Sequence, residues 1–198
     1  AAEVNAGHIW TSSDSGATWT ENTTTSGTTK YWHGITSSAD GTKLAAVENN
    51  GNIYTSTDSG ATWTEDTSVG ATKSWWGVTS SDDGTKLAAT ARFGHIWTST
   101  DSGATWTVDT SVGATKDWRQ ITMSADGTKL AATVANSNMW TSNDSGATWT
   151  EVTTTGAAKY WRPISMSSDG TKVVAGDYGG NLWTKIESIP GPTITDVQ

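Results

Sequence analysis

The chain has 198 residues, 13 tryptophans against one phenylalanine, no cysteine and a net charge of −8. That length allows one domain with a sizeable core. The lack of cysteine excludes a disulfide framework and thiol chemistry, and the acidic balance argues against nucleic acid and anionic membrane surfaces as partners. No apolar run reaches the roughly 18 residues of a membrane-spanning helix, so membrane insertion is not expected. The first residue is not Met and no signal peptide is visible. High Ser, Thr, Gly and Asp content without Cys fits an extracellular or cell-surface bacterial protein.

Taken in order, the sequence is periodic. Asp14, Asp58, Asp101 and Asp144 stand in near-identical stretches spaced 44, 43 and 43 residues apart, the mark of a repeat architecture. Ala1–Trp10 aligns with Ala88–Trp97, so the chain opens inside the second strand of an incomplete first unit. The second unit predicts four strands. Strand A is Trp32–Ser38, followed by a turn over Ala39–Lys43 that carries an Asp-Gly hairpin signal. Strand B is Leu44–Val47, and Glu48–Gly51 is a loop. Strand C is Asn52–Ser56 and strand D is Ala61–Glu65, with Asp58-Ser59-Gly60 turning between them. Asp66–Lys73 leads to the next strand A, and the period leaves no room for a helix. The chain divides into residues 1–188, the repeats, and residues 189–198. The latter read either as a last strand D reached through Pro190-Gly-Pro192 or as a linker.

Each turn aspartate is expected to fold back onto backbone N–H groups of its own turn. A calcium site would need six or more oxygens, and each turn offers one reliable carboxylate. No short His/Cys/carboxylate cluster is present either, so neither metal nor cofactor is expected. The recurring lysines Lys30, Lys73, Lys116 and Lys159 are expected to pair with nearby acids or to solvate the rim.

The motif Ser-x-Asp-x-Gly-x-x-Trp occurs at Ser12–Trp19, Ser56–Trp63, Ser99–Trp106 and Ser142–Trp149. It resembles the Asp-box repeat of bacterial sialidases, Vps10-type receptors and photosystem II assembly factors. The resemblance implies an all-β protein: a β-propeller of four-stranded antiparallel blades, with the box as a structural turn between the third and fourth strands. Counting units gives about five blades, the first incomplete. Copies of the chain could associate through that blade.

Three tryptophan registers repeat: Trp32, Trp75, Trp118 and Trp161 at the start of strand A; Trp19, Trp63, Trp106 and Trp149 in the boxes; Trp10, Trp97, Trp140 and Trp183, with Tyr54, on strand C. Residues repeated in every blade are expected to pack between blades. Trp76 alone falls outside these registers.

The repeats vary in two places. At the D–A junction they read Tyr31-Trp-His-Gly34, Ser74-Trp-Trp-Gly77, Asp117-Trp-Arg-Gln120 and Tyr160-Trp-Arg-Pro163. At the B–C loop they read Glu48-Asn-Asn50, Ala91-Arg-Phe93, Val134-Ala-Asn136 and Gly176-Asp-Tyr178. In an up-and-down blade both connections lie on one face, opposite the boxes. Drift in unconstrained loops favours small polar residues, as in Thr24–Thr28, whereas this face gathers rings and arginines. The candidate binding residues are therefore Tyr31, His33, Glu48, Asn49, Trp76, Arg92, Phe93, Arg119, Asn136, Tyr160, Arg162, Asp177 and Tyr178. Rings beside polar groups suit a glycan, giving a lectin-like reading; a protein partner or a purely structural propeller is the alternative. The sialidase resemblance would ask Arg92, Arg119 and Arg162 to hold a substrate carboxylate, with Tyr178 and Glu48 as nucleophile pair and Asp177 as acid/base. The Phe/Tyr-Arg-Ile-Pro motif of those enzymes is absent, and two of the arginines are register-mates. No catalytic residue is therefore assigned.

Overall fold

The computed structural model of the protein describes residues 7–23, 25, 29–156, 158–187 and 192–196. Its regular structure is β, with one 3-10 turn at Thr153–Thr155. The strands fall into five antiparallel units. Unit 1 holds β1 (Ile9–Thr11) and β2 (Thr20–Asn22). Unit 2 holds β3 (Trp32–Ser37), β4 (Leu44–Gly51), β5 (Ile53–Ser56) and β6 (Thr64–Asp66). Unit 3 holds β7 (Lys73–Ser80), β8 (Leu87–Gly94), β9 (Ile96–Ser99) and β10 (Thr107–Val108). Unit 4 holds β11 (Lys116–Met123), β12 (Leu130–Val134), β13 (Met139–Ser142) and β14 (Thr150–Val152). Unit 5 holds β15 (Trp161–Met166), β16 (Lys172–Asp177), β17 (Leu182–Glu187) and β18 (Pro192–Asp196). Most of the strand B expected for unit 1, and residues 189–191 and 197–198 of the C-terminal stretch, lie outside the described residues.

Strand B is largely apolar, and in units 2 to 4 both its faces are covered. All the residues of Leu44–Val47 and Leu130–Val134 are buried, and their alanines let neighbouring units approach closely. The outer strands alternate little and are mostly exposed. The tryptophans that open strand A are the largest buried side chains, and each meets the ring of its own strand C edge-on: Trp32 with Tyr54 at 5.1 Å, Trp75 with Trp97 at 6.2 Å, Trp118 with Trp140 at 6.4 Å and Trp161 with Trp183 at 6.0 Å. Each such ring stabilises the fold by roughly 1.5–3 kcal/mol through burial. The recurring lysines lie over these strand C rings, at 4.9 Å for Lys30 and Tyr54 and 4.4 Å for Lys159 and Trp183. Among the four, the ion pair recorded is that of Lys30 with Glu48, at 3.0 Å. The amphipathic stem covers the ring and the ammonium meets its π face, a use that the expectation of paired or solvated lysines missed.

The box turns are internally satisfied. The Asp58 carboxylate accepts the Thr62 hydroxyl at 2.6 Å, the Thr62 N–H at 2.8 Å and the Ser56 hydroxyl at 2.8 Å. The same set recurs at Asp14, Asp101 and Asp144. These bonds, the Thr62 hydroxyl first, pull the Asp58 pKa down to about 2. They also bind Ala61 and Thr62 into the turn. Strand D therefore begins at Thr64, three residues later than the sequence suggested. The A–B turns use a second device: the Asp40 carboxylate accepts the Ser38 hydroxyl at 2.6 Å and the Thr42 N–H at 3.0 Å.

Units are also tied to each other through backbone. Ala39 donates to the Asp82 carbonyl (2.8 Å), Asp82 to Ala125 (2.8 Å) and Ala125 to Ser168 (2.7 Å), forming one file of bonds across units 2 to 5. On the opposite face β4 runs on to Gly51 and pairs with β7, Asn49 opposite Ser74. The same occurs between β8 and β11. The expected loop Glu48–Gly51 is thus strand, recruited by the next unit.

Candidate functional site

The beginnings of strands A converge from successive units on the face opposite the boxes. Close approach forces glycine first. A Cβ on Gly34 would lie 3.2 Å from the Trp76 carbonyl oxygen, and one on Gly77 would lie 3.0 Å from that of Arg119. In units 4 and 5 the same register carries Gln120 and Pro163, and the surface opens into a mouth of about 680 Å³. It is lined by Trp32, His33, Trp76, Arg119, Gln120, Arg162, Pro163 and Ile164.

Guanidinium groups and rings alternate along this mouth. His33 lies 4.4 Å from Trp76, and the Arg119 guanidinium lies 4.5 Å from the Trp76 centroid and 5.5 Å from that of Tyr160. Arg162 sits over Tyr160 at 5.3 Å and Tyr178 at 5.8 Å, and the two tyrosines meet edge-on at 5.9 Å. Arg92 lies over Phe93 at 4.6 Å and over Trp76 at 5.4 Å.

The charges are not equivalent. Asp117 bridges two arginines, taking Arg92 Nε at 2.8 Å and Arg119 Nη2 at 2.9 Å. Arg119 also donates to the Tyr160 hydroxyl at 3.1 Å and is buried; its Nε has no hydrogen-bond partner among the described residues. Arg162 is exposed, and no carboxylate pairs with it among the described residues. Burial, then the charges of Arg92 and Arg119, lower the His33 pKa below its ordinary 6.5, so the imidazole is neutral at neutral pH.

Of the thirteen candidates, His33, Trp76, Arg119 and Arg162 line the mouth, with Tyr160 packed directly behind them. Tyr31, Phe93 and Tyr178 stand exposed. Phe93 holds a left-handed backbone at φ 55°, where its register-mates Asn50 and Asn136 use 56° and 54°. Asparagine tolerates that region, whereas a bulky ring there is strained. Arg92, held by Asp117, lies over Phe93 and Trp76, and the other four candidates serve internal structure. Glu48 pairs with Lys30, and Asn49 accepts the Ser74 hydroxyl at 2.7 Å. Asn136 forms a turn, and Asp177 accepts the Asn181 N–H at 3.1 Å and the Trp183 indole N–H at 3.2 Å. Sequence reasoning missed Trp32, Gln120, Pro163 and Ile164 as lining residues. Gln120 and Pro163 stood inside the variable stretch, where the change from glycine was the signal.

The repeated four-stranded units, their strands A gathered around one mouth, decide the architecture. The chain is a β-propeller. No family model and no curated protein matches the sequence. Many solved structures share the fold. A structure described as YCF48 bound to D1 peptide superposes with a TM-score of 0.62 at 17% identity, over 84% of this chain and 55% of that one. The GH74 xyloglucanase of Xanthomonas campestris gives 0.70 at 15% identity, over 97% and 35%. The GH74 enzyme of Niastella koreensis gives 0.64 at 22% identity, over 85% and 24%. The chain thus spans about half or less of each. These likenesses establish the blades and say nothing of the ligand.

Proposed function

We propose that the protein is a non-catalytic binding propeller, lectin-like, which seats a carbohydrate in the mouth between blades 2 and 5. The observation that carries this reading is the alternation of rings and guanidinium groups along an open cavity, Trp76 with Arg119 and Tyr160 with Arg162, continued outward by the exposed rings Phe93 on Arg92 and Tyr178 on Arg162. Apolar ring faces take the apolar face of a sugar, while Arg162 and Gln120 offer hydrogen bonds to hydroxyls. The strained Phe93 supports a functional role, since nothing in the packing of an exposed ring requires it there. Two of the three arginines are held by Asp117 of the chain itself. That weighs against an arginine triad set for a substrate carboxylate, and against sialidase-like catalysis.

A glycan-array screen of the intact chain, repeated with Trp76→Ala and Tyr178→Ala, tests the proposal. Binding that disappears in either variant while circular dichroism is unchanged supports it; a blank array from the folded protein overturns it. A protein ligand is the second reading, favoured by exposed Tyr31, Phe93 and Tyr178 on three different blades. The described peptide complex of the YCF48 structure fits that reading, as the xyloglucanase fits the first. Hydrogen-exchange protection by a partner spread over residues 48–50, 91–93 and 176–178 would favour a protein.

A further inference from the structure

The cations of the mouth are matched by the chain to different degrees. Arg119 lies over Trp76 and Tyr160, and Arg162 over Tyr160 and Tyr178. A ring draws a guanidinium by its charge and offers its N–H groups no oxygen acceptor. Arg119 finds acceptors in Asp117 and the Tyr160 hydroxyl, and Arg92 finds one in Asp117. Arg162, exposed at the mouth, makes no hydrogen bond or ion pair among the described residues. Its N–H donors form a rigid fork, held against two rings and left without an oxygen.

The chain carries −8 overall, yet no carboxylate lines the mouth among the described residues, and Asp117 beside it is shared by Arg92 and Arg119. Asp177, on the same face, turns its oxygens to Asn181 and Trp183. The mouth is therefore a positive site on a negative protein. The kind of cation is informative. Arg119 and Arg162 line the mouth and Arg92 lies over Trp76 beside them, which accounts for every arginine in the sequence. No lysine lines it among the described residues. An ammonium would give the same charge. A guanidinium is more loosely hydrated and meets oxyanions through paired N–H groups. Between ring walls, the anion that loses least on entry is one that is loosely hydrated too. A sulfate ester spreads its charge over three oxygens and sheds water readily, whereas a carboxylate concentrates it on two and holds water tightly.

We propose that the mouth takes a sulfate ester carried on a sugar, with Arg162 as its anchor. The inference rests on the carbohydrate reading above and names the kind of carbohydrate. The sugar ring lies outward, against exposed Tyr178, and its sulfate points inward to the open N–H edge of Arg162. The Gln120 amide, also in the lining, is a further donor for a third oxygen. Arg119 stays with Asp117 and contributes its charge.

Three polymers of one backbone test this: dextran, dextran sulfate and carboxymethyl-dextran, the last two matched in charge density. Binding to the immobilised full chain is measured by biolayer interferometry at about 0.15 M salt. Dextran sulfate should bind at least about tenfold more tightly than carboxymethyl-dextran. Arg162→Gln should weaken dextran sulfate by about tenfold or more, the usual size of a lost charge-assisted hydrogen bond. Arg162→Lys keeps the charge and should recover only part of that loss. Lys172→Gln makes the same change of charge at an exposed position on the box face and should bind as the wild type does. Circular dichroism checks that all three variants fold. Absence of dextran sulfate binding overturns the proposal. Equal binding of the two charged polymers, or equal losses in Arg162→Gln and Lys172→Gln, does so too, since charge alone would then account for it. The glycan array separates this failure from that of the carbohydrate reading. A neutral glycan bound equally by the wild type and Arg162→Gln would leave the carbohydrate reading standing and remove the sulfate; a blank array with no dextran sulfate binding removes both.

Discussion

The two faces of this propeller are built from the same repeat and obey different rules. On the box face the repeated aspartates are consumed by their own turns: Asp58 holds Ser56 and Thr62, Asp40 holds Ser38 and Thr42, and their register-mates do the same. Such a turn constrains its Ser, Asp and Thr positions, whose side chains are donor or acceptor and spacer at once, while the unbonded positions between them vary. On the opposite face the chain satisfies its backbone through strand extension between blades, Asn49 with Ser74 and Arg92 with Asp117. Side chains there are released from turn chemistry and free to differ. Function on this scaffold is therefore cheap to vary on one face and costly on the other.

The sharpest break lies beneath both faces. Trp118 is 1% exposed and packs with rings on two sides, Trp140 and Trp149 each at 6.4 Å. Trp118→Ala should cost about 3–5 kcal/mol, read as a lowered denaturation midpoint. The neighbouring mouth residue Trp76, half-buried, should cost clearly less; equal losses would show that the mouth is as structural as the core.

The next effect separates two glycines on the box face. Gly41 and Gly60 both have positive φ, 72° and 86°, yet nothing lies within 4 Å of a Cβ on Gly41, while one on Gly60 meets the Thr11 methyl at 2.8 Å and Leu44 at 3.1 Å. Gly41→Ala should cost about 1–2 kcal/mol from backbone strain alone. Gly60→Ala adds overpacking of roughly 1–3 kcal/mol. Urea melts showing equal losses would remove the inter-blade role assigned to the box glycine.

Phe93→Asn tests the other face in the opposite sense. Relief of left-handed strain, about 1 kcal/mol, exceeds the exposed cation–π contact with Arg92, roughly 0.5–1 kcal/mol, by a small margin. The variant should be as stable as the wild type or slightly more so, and should bind ligand less well. A clear loss of stability would make Phe93 a structural residue.

Periodicity made the blades, the box turns and the tryptophan registers legible in the sequence, since each rests on local chemistry repeated four or five times. The face carrying the mouth was legible for the same reason, as the place where repetition stops. Which residues line it was not. Glu48, Asn49 and Asp177 share that face with Trp76 and Arg162, but their short polar side chains are taken up by neighbours that adjacent blades supply. Gln120 and Pro163 line the mouth at the register that holds glycine in units 2 and 3, a consequence of how the blades pack together. The lysine–ring stacks were hidden too, because Lys30 and Tyr54 lie 24 positions apart in sequence, and on different strands.

The smallest expected effect is a titration. His33 is buried in part between Trp76 and the charges of Arg92 and Arg119, and its folded pKa lies below 6.5. The unfolded chain takes up a proton near pH 6.5 that the folded imidazole refuses until the pH is lower. Folding is therefore opposed by acid: the contribution of a neutral His33 is complete above about pH 6.5 and is lost as the pH falls below that value and through the lower folded pKa. The box aspartates cannot produce this window, since they stay ionised down to about pH 2. His33→Gln keeps a neutral hydrogen-bonding side chain of similar reach and removes the titration. Denaturation midpoints at about pH 7.5 and about pH 5 should fall less in the variant than in the wild type. His8 and His95 are common to both proteins and cancel in the comparison. Equal falls would mean that neither the partial burial of His33 nor the charges of Arg92 and Arg119 bear on its titration.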